Sequence, residues 1–232
     1  MKVSWAARIE VDNVNIHPYV DAVNTLDDVG FMANATRPYH HGDLRTALIA
    51  EAAAMIADRG VRSVTMRALG RRLEVSRAAP YRHFADKGAL MVAVAAAGFE
   101  RLQGLLAAID ADSPVDSPDR LPRMGEAYVR FALENPAYYR LMYGREALAR
   151  VDVPELRDAA NALFDGLVGI FLMQQRAGVI RRQDPRAQAY VAWGAVHGLA
   201  SLLVDGQILT AVDVDRLIQE MGVILMEGLR AR

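Results

Sequence analysis

Apolar residues recur at helical spacing from residue 43 onward, and that period organises almost the whole chain. The first clear stripe, Leu44, Leu48, Ala52, Met55 and Ile56, predicts a helix opening at Asp43 and stopping at Gly60 in the C′ position. Thr65 reads as the N-cap of a short helix reaching Leu73, and Ser76 as the cap of another reaching His83. Asp86 caps a much longer one, with Leu90, Val94, Phe99, Leu102 and Leu106 along its body. The stretch ADSPVDSP, residues 111–118, cannot continue a helix and is read as a loop. Helices are expected beyond it from Asp119 to Glu134, from Pro136 to Tyr143, from Pro154 to Arg176, from Pro185 to Gly206 and from Val212 to Arg230. The last shows Val214, Leu217, Ile218, Met221, Ile224, Leu225 and Leu229 on one stripe. Strand alternation is absent after residue 36, so the fold class is all-α.

Residues 1–36 follow none of these periods and are expected to be a flexible arm, or an extension upstream of a start at Met32. The run without formal charge from Ala187 to Val204 approaches the length that spans a bilayer. It contains Gln188, Gly194, His197, Gly198 and Ser201, and is therefore expected to be a helix buried inside protein, with no membrane partner. No apolar secretory core precedes residue 18, and the chain of 232 residues has no cysteine; both fit a cytoplasmic location, and the second excludes disulfides and thiolate chemistry.

Charge changes the picture. The net charge is −1, yet residues 37–90 carry ten basic and five acidic side chains, a balance of +5 against −6 for the remainder. One quarter of the chain is thus suited to a polyanion. The same quarter holds two short helices joined by a tight turn, the length of a helix-turn-helix. In that geometry Ser76, Arg77 and Ala78 open a helix that meets base edges, an Arg holding guanine O6 and N7 while a small neighbour allows close approach. Pro80 falls at the fourth position counted from Ser76, where its ring faces a residue already outside the helix. Tyr81, Arg82, His83 and Lys87 suit phosphates, as do the free amides above Thr65, whereas Phe84 reads as a core anchor.

The stretch VTMRALGRRLEVSRAAPYRHFADKGAL, residues 64–90, preceded by YHHGDLRTALIAEAAAMIADRG, resembles the TetR (tetracycline-repressor) family of bacterial transcription regulators. The resemblance covers about a quarter of the chain. It implies an extension over 1–36, a three-helix helix-turn-helix domain over 37–88, and a larger helical domain over 89–232 for ligand binding and dimerisation. The positions matching the family's DNA contacts are Thr65, Arg67, Ser76, Arg77, Ala78, Tyr81, His83 and Lys87. The implied partners are a palindromic operator in double-stranded DNA, a small-molecule effector and a second copy of the chain, joined through the last two helices; no cofactor is implied. Three positions depart from the family: Gly70 stands where Ala is usual, Glu74 where Gly is usual, and Gly88 where an acidic residue is frequent. Glu74 is expected to strain a turn that needs positive φ and to repel phosphate.

Beyond residue 90 the motifs are weaker. Tyr128, Phe131, Met142, Phe171, Trp193 and His197 are the candidates to line an effector cavity, although each singly also suits a plain core. His197, one turn from Trp193, reads as a satisfied core histidine. His40 and His41 beside Asp43 read as leader residues rather than metal ligands. The chain has no G-x-S-x-G, P-loop, G-x-G-x-x-G or H-E-x-x-H motif, so nothing points to an enzyme. A helical small-molecule carrier is the other alternative, and the +5 cluster argues against it. Repression relieved by a ligand is the expected mode.

Overall fold

The computed structural model describes residues 44–144, 153–208 and 211–230. Among them are eight α-helices: α1 Leu44–Arg59, α2 Met66–Arg72, α3 Lys87–Ala111, α4 Arg120–Glu134, α5 Pro136–Tyr143, α6 Pro154–Arg176, α7 Pro185–Val204 and α8 Val214–Leu229. One isolated bridge, Ile180 to Arg230, is the only strand-like pairing among the described residues. The expectations for residues 1–36 and for His40 and His41 fall outside the described residues.

The long α3 is the spine. Its buried side, Leu90, Val94, Phe99 and Leu102, faces α1, α4, α5 and α6. At 25 residues it spans about 37 Å. A continuous apolar core runs along it, from Leu48 and Leu69 beside the positively charged quarter to Val129, Leu141 and Ile218 at the other end. A smaller cluster of Phe171, Ile180, Ala189 and Met226 closes the far end of α6, α7 and α8. α5 packs on α1, α3 and α4 together. Its contact with α3 is very close, because a Cβ at Gly98 would lie 2.7 Å from Met142 Sδ and 3.1 Å from Tyr138 Cβ.

The caps follow the chemistry of the sequence. Asp86 starts α3 by accepting from Ala89 N at 2.8 Å, Thr65 starts α2 by accepting from Ala68 N at 3.1 Å, and Asp184 starts α7 by accepting from Arg186 N at 2.9 Å. Asp213 starts α8 in the same way, accepting from Arg216 N at 3.0 Å, so that helix begins at Val214 rather than Val212. α7 ends at Val204 instead of Gly206, because Gly206 occupies the C′ position with φ 64°.

Two expectations are corrected. α7 is not enclosed by protein: one side packs on α4, α6 and α8, while Tyr190, Val191 and Leu202 stand exposed on the other. Its uncharged run therefore reflects an open apolar face in the single chain. The segment from Ser76 to His83 is also not an α-helix but a run of turns leading into a 3-10 helix, Pro80–Arg82. An α-helix capped at Ser76 would make its first bond from the amide of residue 80, and proline has none. The Ser76 carbonyl is taken instead by Ala79 N at 3.0 Å, and the shorter spacing continues with Arg82 N to Ala79 O at 3.2 Å and His83 N to Pro80 O at 3.1 Å.

Candidate functional site

The turn before this segment sets its orientation. Glu74 N bonds to Arg71 O at 3.3 Å and Val75 N to Gly70 O at 2.9 Å, the pair of bonds that closes a helix through a left-handed C′ residue. Glu74 has φ 54° and is the only non-glycine residue with positive φ among those described. The same device ends α6 and α7, where Gly178 and Gly206 take the position with φ 76° and 64°. The expected strain at Glu74 is therefore present, on the order of 1 kcal/mol. Gly70 lies under the turn, and a Cβ there would meet Pro80 Cγ and the Ser76 carbonyl oxygen at 3.6 Å, ordinary contact rather than a clash.

Pro80 and Phe84 are buried and hold the segment down, with the Arg45 guanidinium 5.4 Å above the Phe84 ring. Everything between them points outward. Thr65, Arg67, Ser76, Arg77, Ala78 and Tyr81 are exposed, Tyr81 to 57%, and His83 is half-buried beside them. Arg62, Arg67, Arg71, Arg77 and Arg82 enter no ion pair among the described residues, whereas Arg72 is held by Glu51. Those five guanidinium groups on one short stretch make a surface of unspent positive charge. Lys87 is engaged differently: its Nζ donates to Val61 O at 2.6 Å, tying the start of α3 to the turn between α1 and α2.

A second site lies in the other half. α4, α6, α7 and α8 enclose a cavity of about 130 Å³. Tyr128, Phe171 and Trp193 line it as expected, together with Tyr143, Phe164 and Met124, which the sequence reading missed. Phe131, Met142 and His197 do not line it. Phe131 is core, and Met142 is spent on the α3 contact at Gly98. His197 sits behind the wall, its Nδ1 2.9 Å from Tyr128 Oη and 3.0 Å from Tyr139 Oη, with the Tyr143 ring edge-on at 4.8 Å between centroids. Trp193 Nε1 donates to Tyr128 Oη at 3.4 Å, and Tyr139 Oη also reaches Ser201 Oγ at 3.1 Å. Burial lowers the His197 pKa and raises those of Tyr128, Tyr139 and Tyr143, so the cluster favours a neutral imidazole among neutral phenols. A periodic apolar stripe does not distinguish wall from core, and three of the six candidates lie away from the cavity lining.

Residues 48–94 match the family model described as bacterial regulatory proteins, tetR family, and residues 121–223 match that of the tetracyclin repressor-like C-terminal domain. The chain belongs to the TetR family of bacterial transcriptional regulators. That is a family of regulators and not of enzymes. Among relatives, an uncharacterized HTH-type transcriptional regulator of Bacillus subtilis, YobS, is 34% identical over 97 residues, 41% of this chain; the chain spans half the length of that relative. A Rhodococcus sp. RHA1 structure of a protein with unknown function superposes with a TM-score of 0.74 at 34% identity, covering 84% of this chain and all of that one. A tetR-family regulatory protein from Rhodococcus RHA1 superposes with a TM-score of 0.63 at 21% identity, covering 82% and 98%, and shares the fold.

Proposed function

We propose that this TetR-family chain is a cytoplasmic, ligand-responsive repressor that binds a palindromic operator as a homodimer. The single observation that carries the DNA role is the surface between Arg62 and Arg82, with five guanidinium groups that enter no ion pair among the described residues and a proline-set turn between them. Arg77 and Ala78 lie at the leading edge and read bases; Ser76, Tyr81 and His83 bind phosphates with Arg67, and Thr65 presents the amides of α2. Lys87 acts at one remove, since its bond to Val61 O fixes the turn that flanks the surface, and its remaining protons reach a phosphate. In this reading residues 37–88 meet DNA, and 89–232 bind ligand and dimerise.

Dimerisation runs through α7 and α8. Tyr190, Val191 and Leu202 on α7 and Val223 and Ile224 on α8 are exposed, the last two to 57% and 67%, and apolar side chains bared on both of the last two helices call for a partner. A two-fold pair places two DNA surfaces against half-sites about one helical turn apart. Occupation of the cavity shifts that spacing. Tyr143 belongs both to the cavity wall and to α5, which packs on α1, and this is the route by which an occupant acts on the DNA-binding half.

Selection of bound fragments from random duplex DNA by the full chain tests the reading, followed by two variants. Arg77→Ala is expected to relax preference at one position by about 1–3 kcal/mol, whereas Arg82→Ala weakens all sequences alike and reduces the slope of affinity against salt. Equal binding of operator and unrelated duplexes by the parent chain rejects the proposal.

A further inference from the structure

The walls of the cavity specify what it takes. No Asp, Glu, Lys, Arg or His lines it; Leu121, Leu163, Leu167, Phe171, Val196 and Met226 supply most of the surface. A charged group inside would be buried without a counter-ion, at a cost of several kcal/mol. Its volume, about 130 Å³, is close to that of an apolar cavity of about 150 Å³ known to stay dry and to hold benzene. A single ring fits that volume.

Polar capacity is confined to one corner. The Trp193 N–H is used on Tyr128 Oη, and Tyr128 Oη is used on His197 Nδ1. Tyr143 lines the cavity beside them, its hydroxyl turned to Tyr128 as donor with its own lone pairs unused. An acceptor therefore remains for an occupant, at the end of the cavity where α4, α5 and α7 meet.

We infer that the cavity binds an uncharged, single-ring molecule bearing one hydroxyl, a phenol or alcohol, which donates a hydrogen bond to the Tyr143 oxygen. The inference rests on the ligand-responsive reading above and names the chemistry of its effector. Three probes separate the features: 4-ethylphenol has the ring and the oxygen, ethylbenzene has the ring alone, and 4-ethylbenzoate has the ring with a charge. Calorimetric titration of the full chain at neutral pH is expected to rank 4-ethylphenol first, with 4-ethylbenzoate weaker on the order of a hundredfold. Tyr143→Phe weakens 4-ethylphenol about fivefold to tenfold and leaves ethylbenzene unchanged. Ala160→Phe, which fills the cavity from α6, abolishes both neutral ligands. Should that variant fail to fold, the ranking of the three probes and the Tyr143→Phe comparison decide the matter in the parent fold.

Equal or tighter binding of the benzoate overturns the inference, as does an unchanged phenol affinity in Tyr143→Phe, or no heat and no shift in melting temperature with either neutral ring. A gel-shift with the selected duplex separates this inference from the reading beneath it. If 4-ethylphenol binds as expected yet never releases the duplex, the ligand class stands and the regulatory coupling falls. If decanoate releases the duplex while neither neutral ring binds, the coupling stands and the ligand class falls.

Discussion

Glu74 concentrates several terms in one side chain. It holds a left-handed C′ position that the ends of α6 and α7 assign to glycine, and it adds a carboxylate to the surface proposed to meet DNA. Glu74→Gly is therefore expected to stabilise the fold by about 1 kcal/mol and to tighten DNA binding; urea denaturation reads the first and titration of duplex the second. His197 supplies the pH dependence. Burial lowers its folded pKa below the ordinary value of about 6.5, so the unfolded chain binds more protons in the window just below 6.5. Stability is complete above that window and declines as pH falls through it, levelling off once the folded state also protonates. His197→Asn is expected to flatten the decline, as followed by melting temperature against pH. The strain at Glu74 was legible in the sequence because the turn demands a conformation most residues avoid. The partnership of His197 with Tyr128 and Tyr139 was not, since it joins residues 58 and 69 positions apart that no local period connects.

Helices with a cap at one end and a stop at the other were readable to within a residue or two: α2, α3, α5 and α6 follow Thr65, Asp86, Pro136 and Pro154. The Thr65 cap has a testable weight. Thr65→Ala should cost about 1 kcal/mol of stability while Thr65→Ser costs little, and both can be measured by thermal unfolding. If the alanine variant loses far more DNA affinity than this instability explains, Thr65 also touches phosphate. The segment after Ser76 failed as a helix because the missing amide of Pro80 has a larger effect there than the favourable cap before it. The result is a tighter and shorter platform, with Arg77 and Tyr81 presented by turns.

At the scale of the molecule, net charge and apolar exposure are both divided. Positive charge without ion-pair partners among the described residues gathers around α2 and the segment after it, and bare apolar side chains gather on α7 and α8. Val223→Glu combined with Ile224→Glu is expected to convert a dimer into a folded monomer, by sedimentation or light scattering, and to weaken operator binding far more than binding to random duplex. Retention of the dimer would move the interface elsewhere. The apolar face of α7 was visible in its uncharged run, but one chain cannot reveal whether such a run is covered by its own fold or by a second copy. Cavity walls are hidden for a related reason: Phe131 and Phe171 have the same spacing, the same chemistry and the same burial, yet only Phe171 borders a void.

The contact of Gly98 with Met142 leaves α3 and α5 no slack. On the reading proposed above, a displacement received by Tyr143 at the C-terminus of α5 would reach α3 through this close contact. Gly98 is thus the tooth gap in which α5 is seated on the spine, and any bulkier residue there would force the two helices apart.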